Sequence, residues 1–152
     1  MRQLILFAFS LFAFAGIAAA QDLSGNWAAT YDQDLPGKSL KNKPVAIVEV
    51  KADAGSGTVY SSIKSLQNNF AATCQGCPGE NANKNSVGMV WCKNLTPVPG
   101  KPGEFNNGWA IDPQTGKVAS NVQAKMINPT TIMVTCTESD TGKARSIKLT
   151  KQ

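Results

Sequence analysis

The stretch Lys117-Val-Ala-Ser-Asn-Val-Gln-Ala-Lys-Met126 decides how this chain is read. Val118, Val122, Ala124 and Met126 fall at even spacing, and Asn121, Gln123 and Lys125 lie between them. A period of two with one apolar and one polar side describes a half-buried β-strand. The same period recurs on both sides. Upstream, 44–50 (PVAIVEV) holds Val45, Ile47, Val48 and Val50, and 57–66 (GTVYSSIKSL) sets Val59 and Ile63 against Tyr60 and Lys64. The run 86–92 (SVGMVWC) is apolar on both faces, and 108–111 (GWAI) is short. Downstream, 130–137 groups Ile132, Val134 and Cys136, and 145–151 sets Ile147 and Leu149 against Lys148.

Turn signals separate these runs: DLPGK (34–38), DAGSG (53–57), CPGENANKN (77–85), PVPGKPGE (97–104), DPQTG (112–116), NPTT (128–131) and SDTGK (139–143). Gly and Asn tolerate positive φ, Pro fixes φ, and Asp or Asn closes a turn through its side chain. Only 62–72 offers a helical alternative, with Ile63, Leu66 and Phe70; it reads as a strand running into a loop. The expectation is one all-β domain of about eight strands, a sandwich or a barrel, with no internal repeat.

The first twenty residues, MRQLILFAFSLFAFAGIAAA, hold one charge at Arg2, an apolar run and a small-residue end. That is the pattern of a signal peptide cleaved after Ala20, followed by a domain over 21–152 and export to the periplasm or outside the cell. No further apolar span follows, so the remaining chain predicts no integral membrane segment. The net charge of +5 is mild and the lysines are scattered, which does not make a nucleic-acid footprint.

The chain has no histidine. Ser-His-Asp and Cys-His activation of a nucleophile are therefore excluded, and so is the commonest ligand of transition-metal sites. The remaining candidates for acid–base work are carboxylates at Asp32, Asp34, Glu80, Glu104 and Asp112, mostly in turns where capping explains them. No cofactor and no metal is implied.

Cys74, Cys77, Cys92 and Cys136 form an even set in an exported chain, which reads as disulfides. A zinc site would want two close pairs, and Cys92 and Cys136 are not one. A redox dithiol would want a helix starting at the motif, and Pro78-Gly79 follows instead. Loop entropy gives roughly 2 kcal/mol for Cys74–Cys77 and roughly 4 kcal/mol for Cys92–Cys136, but the crossed pairing scores as well, so geometry must choose.

Gly25-x-Trp27 at the first strand resembles the lipocalin-like barrels (calycins), in which that Trp packs across the closed end. More of the chain resembles an exported bacterial family, domain of unknown function 2147. The pieces are SGNW (24–27), GTVYSSI (57–63), CQGC (74–77), SVGMVWCKNL (86–95) and NNGWAIDPQTGKV (106–118). The chain departs from that family at Ser61, after Lys117, and in its C-terminal elements. The resemblance implies that the all-β domain is a single antiparallel lipocalin-like β-barrel of about eight strands, in an exported protein with no assigned activity. It gives structural roles to Gly25, Trp27, Asp112, Pro113 and Gly116. It also makes Cys74–Cys77 one bridge, which leaves Cys92 and Cys136 to pair.

The inward face of such a barrel would be Val, Ile, Met and Ala. This suits a small hydrophobic ligand, with Met89, Trp91, Trp109, Val122, Met126 and Val134 as candidate lining. The alternative is a packed barrel serving as an interaction module through its loops, for a protein partner the residues do not identify.

Overall fold

The computed structural model describes residues 22–152; the expected signal peptide lies outside the described residues. Eight strands form one closed antiparallel barrel in sequential order. They are β1 (Gly25–Tyr31), β2 (Pro44–Ala52), β3 (Val59–Leu66), β4 (Val90–Pro97), β5 (Glu104–Ile111), β6 (Val118–Asn128), β7 (Thr131–Glu138) and β8 (Ala144–Lys151). Closure comes from β8 pairing with β1, Trp27 against Lys151 through Tyr31 against Ile147. Closure leaves no sheet edge to aggregate. The segment 62–72 is a strand to Leu66 and then loop, and the only helical element among the described residues is a 3₁₀ turn, Gly79–Asn81. Among the described residues no helix is long and apolar enough to cross a membrane.

The alternation is interrupted where the barrel bends. Asn94, Asn107 and Asn121, on the neighbouring strands β4, β5 and β6, all hold φ near +60°. Asn enters this left-handed region more readily than other side-chain-bearing residues. The β5–β6 ladder shifts register between Phe105 and Gly108, and the β6–β7 ladder between Ser120 and Gln123. Each extra residue adds the local twist that a closed sheet needs.

Two expectations change here. Val118 does not share a face with Val122: the bulge at Asn121 flips the phase, so Ala119 joins the interior core while Val118 packs outside. And β5 begins at Glu104, within the stretch read as loop, because Asn107 breaks the period of two that would have revealed it.

Trp27, 0% exposed, fills one end of the barrel. Its Nε1 donates to Leu23 O at 3.0 Å, and Lys151 Nζ lies 5.2 Å from its ring centre on the face. The connections at this end are tight: 53–58, 98–103 and 129–130. The two long connections, 32–43 and 67–89, lie at the opposite end, together with the turns 112–117 and 139–143. The barrel therefore has a closed end at Trp27 and a loop-bearing mouth.

Candidate functional site

The mouth is held by a small second core on the outside of the wall. Cys74, Cys77, Met89 and Ile111 are buried together, with Trp109 and Val118 against them. The Cys74–Cys77 disulfide is formed, with Cα atoms 5.6 Å apart. It folds 74–77 into a tight turn that presses on the β5–β6 turn. Gln75 N donates to Pro113 O at 3.0 Å. At Gly116, φ is +69° and an added Cβ would lie 2.3 Å from Gly76 O, so no side chain fits there. Asp112 closes its own turn: Oδ1 accepts from Gln114 N at 2.8 Å, and its carbonyl accepts from Gly116 N at 2.8 Å. The stapled loop thus fixes where the Asp112 carboxylate stands.

Inside the barrel, the ladder pairs Ser61 with Cys92 and then Ser62 with Val90. The residue between, Trp91, is extra, so Trp91 and Cys92 both turn inward. The Trp91 indole Nε1 donates to Ser61 Oγ at 2.9 Å, which satisfies both groups within the apolar interior. Trp91 divides the lumen into two voids. The one toward the mouth, about 30 Å³, is lined by Tyr31, Val48, Ile63, Phe70 and Pro113 among others. The one toward the closed end, about 20 Å³, lies among Val59, Leu95, Ile132, Val134 and Leu149. A pocket for a drug-sized ligand measures roughly 300–1,000 Å³. The open greasy lumen expected from the inward face is therefore nearly filled by core side chains, with the Trp91 indole between the two remnants.

Of the residues expected to line a cavity, Trp91 borders both voids and Val134 the inner one. Val122 is fully buried in the interior core, and Met126 packs partly buried against it. Met89 and Trp109 lie outside the lumen. Trp109 pairs across the ladder with Lys93, whose Nζ sits 4.9 Å from the ring centre on the outer surface. The parity of β5 explains this: Ala110 faces inward, so Trp109 and Ile111 face out.

The pairing of Cys92 with Cys136 is corrected. Both are thiols in the structure, Cys92 buried and Cys136 partly so. Cys136 Sγ instead lies 3.7 Å from Arg145 O. Burial pushes the Cys92 thiol up to about 12 and the Cys136 thiol up to about 11, with the Asp112 charge adding to the second. Neither is a reactive thiolate at neutral pH.

A polar cluster sits at the mouth, directly over the outer void. Tyr31, which lines that void, donates its hydroxyl to Asp112 Oδ1 at 3.0 Å. Arg145 Nε donates to Glu138 Oε1, with Glu138 buried and Arg145 partly buried. Thr141 Oγ1 donates to Glu138 Oε2 at 2.6 Å, and Lys38 Nζ donates to Gln114 Oε1. Burial raises the Asp112 carboxyl above the ordinary aspartate range, against the hydrogen bonds that lower it. Burial also acts upward on Glu138, but Thr141 and Arg145 outweigh it and hold that carboxyl low. Burial, then the neighbouring Asp112 charge, raise the Tyr31 phenol well above its usual value. Asp112 as a residue is partly exposed, yet its Oδ2 is buried and has no partner; Gln114 Nε2 and Gln33 Nε2 are left the same way.

Reading the sequence assigned Asp112 to a turn and missed Tyr31, Glu138 and Arg145. The available signal was a Tyr, a Glu and an Arg at strand ends that the same turn geometry brings to one rim. A larger depression of about 450 Å³ lies on the outer face of β5–β7. It is floored by the Lys125–Glu104 and Lys101–Glu104 ion pairs and brings no unpartnered group together.

Comparison with solved structures places this architecture. A protein of Helicobacter pylori, HP1028, described as belonging to the lipocalin family, superposes with a TM-score of 0.63 at 16% identity, over 86% of this chain and 83% of that one. The fold is lipocalin-like. A redesigned β-barrel also aligns, with a TM-score of 0.46 at 13% identity, over 86% of this chain and 91% of that one. No family model and no curated protein matches the chain, so the likeness to family 2147 rests on the quoted motifs.

Proposed function

We propose that this lipocalin-like barrel is an exported binder of a small, mostly apolar molecule, taken up at the loop-bearing mouth and seated against Trp91. One observation carries the reading. The apolar void beside Trp91 lies toward the end that bears the two long loops and where partly buried polar groups converge, the arrangement of a ligand site in a barrel mouth. The N-terminal apolar segment and the Cys74–Cys77 bridge support export, since such bridges persist in oxidising compartments.

A void of about 30 Å³ has room for roughly one water molecule. Uptake of anything larger requires Phe70 and the 32–43 and 67–89 connections to give way, with Trp91 turning aside. The structure is then the closed form. The test is native mass spectrometry of the protein purified from its own host, followed by solvent extraction. A retained apolar molecule that quenches or shifts Trp fluorescence on re-addition is the expected result. If nothing co-purifies and a panel of C6–C12 apolar compounds leaves Tm unchanged, the binder reading fails. The near-filled lumen would then favour the second reading, an interaction module with a packed barrel and functional loops.

A further inference from the structure

We infer that the ligand taken by this mouth carries a cationic head, a protonated amine, and that the Asp112 carboxylate receives it. The inference rests on the binder reading above and adds the chemistry of the head group.

Charge accounting at the mouth leads there. Two carboxylates and one cation stand at the rim: Glu138, which is buried, and Asp112 and Arg145, which are partly buried. The Arg145 guanidinium is already engaged by Glu138, whose second oxygen is taken by Thr141. Lys38 is engaged by Gln114 at the partly exposed edge. Of the two carboxylates, Asp112 has no cation in contact; the Arg145 charge acts on it from further off and does not offset its burial. Its Oδ1 accepts only neutral donors, Tyr31 OH and Gln114 N, and its Oδ2 accepts nothing although it is buried. A buried carboxylate without a cation is costly, and the cost is relieved by a partner that brings positive charge and hydrogen-bond donors. The burial-driven rise of the Asp112 carboxyl reports the same imbalance.

The carboxylate is also placed to meet a ligand. Tyr31 and Pro113 line the void beside Trp91; Tyr31 holds Asp112, and Pro113 follows it in the chain. An apolar tail against Trp91, Val48 and Ile63 would set its head at the rim beside Asp112. A carboxylate head in the same place would face Asp112 and reach Lys38 only at the edge. An alcohol would find an acceptor but bring no charge. A charge-assisted hydrogen bond is roughly twice as strong as a neutral one.

The experiment compares three octyl compounds that differ only in the head: octylamine, 1-octanol and octanoate. Binding to the full protein at neutral pH is measured by calorimetry and by Trp fluorescence. The expected order is octylamine, then octanol, then octanoate, with at least tenfold between the first and last Kd. In Asp112→Asn the Kd ratio of octanol to octylamine should fall to about one. Octanoate binding as tightly as octylamine, or amine preference surviving in a folded Asp112→Asn, overturns the cationic head and leaves the binder reading standing. Failure of all three overturns both. Should Asp112→Asn not fold, the head-group order in the unaltered protein still decides.

Discussion

At the residue scale, two groups of side chains turn on burial rather than on identity. Cys92 and Cys136 look like a disulfide pair by count, but each is held as a thiol of raised pKa. Iodoacetamide at neutral pH should therefore leave both unlabelled in the folded protein. It should label two thiols, and not four or none, once the chain is unfolded without reductant. An alkylation count by mass spectrometry checks this. Asp112 gives a pH signature. Its folded pKa is raised, so the folded state holds the proton more tightly than the unfolded chain. Its favourable contribution is present at acid pH and is lost as pH rises through the raised value. Asp112→Asn keeps the acceptor for Tyr31 and Gln114 N, and should flatten that loss. Urea midpoints for both proteins across the acid-to-neutral range should diverge, with the variant relatively more stable at the neutral end. Glu138 slopes the opposite way in both proteins, because its folded carboxyl is held low, and so cancels in the comparison.

At the scale of the element, the bulges carry as much information as the strands. Asn107 and Asn121 sit at positive φ where the ladders slip by one residue. A β-branched residue there is strained, at a cost on the order of 1–3 kcal/mol. Asn121→Val should lower stability by about that amount although Val is the better strand former, while Asn121→Gly should stay near the parent. Denaturant melts of the two variants distinguish backbone strain from strand propensity. Seven of the eight strands, β2 to β8, are visible at least in part as alternating or apolar runs, and their order and turns with them. The start of β5 and the inward face of early β6 are not, because a single residue in the left-handed region reverses parity without leaving any mark on composition. The same physics placed Trp91 and Cys92 on one face and sent Trp109 to the other.

At the scale of the whole molecule, the barrel is closed at one end by Trp27 and at the other by loops locked through Cys74–Cys77. Trp27 is wholly buried with its indole N–H paired, so Trp27→Ala should cost roughly 3–5 kcal/mol, read as a fall in the urea midpoint. A much smaller loss would mean that the closed end is not where the barrel is anchored. By itself the sequence determined that the described chain is built of short antiparallel strands, which cysteines are close enough to bridge locally, and that no histidine chemistry is available. These follow from local quantities: periodicity, turn residues and spacing. Only the tertiary structure decided that the strands close into a barrel, that its lumen is almost filled with Trp91 between two small voids, that Cys92 and Cys136 stay apart as thiols, and that Tyr31, Asp112, Glu138 and Arg145 meet at one rim. Those outcomes depend on strand register and on closure of β8 against β1, which bring residues more than a hundred positions apart into contact, and no local pattern encodes that distance.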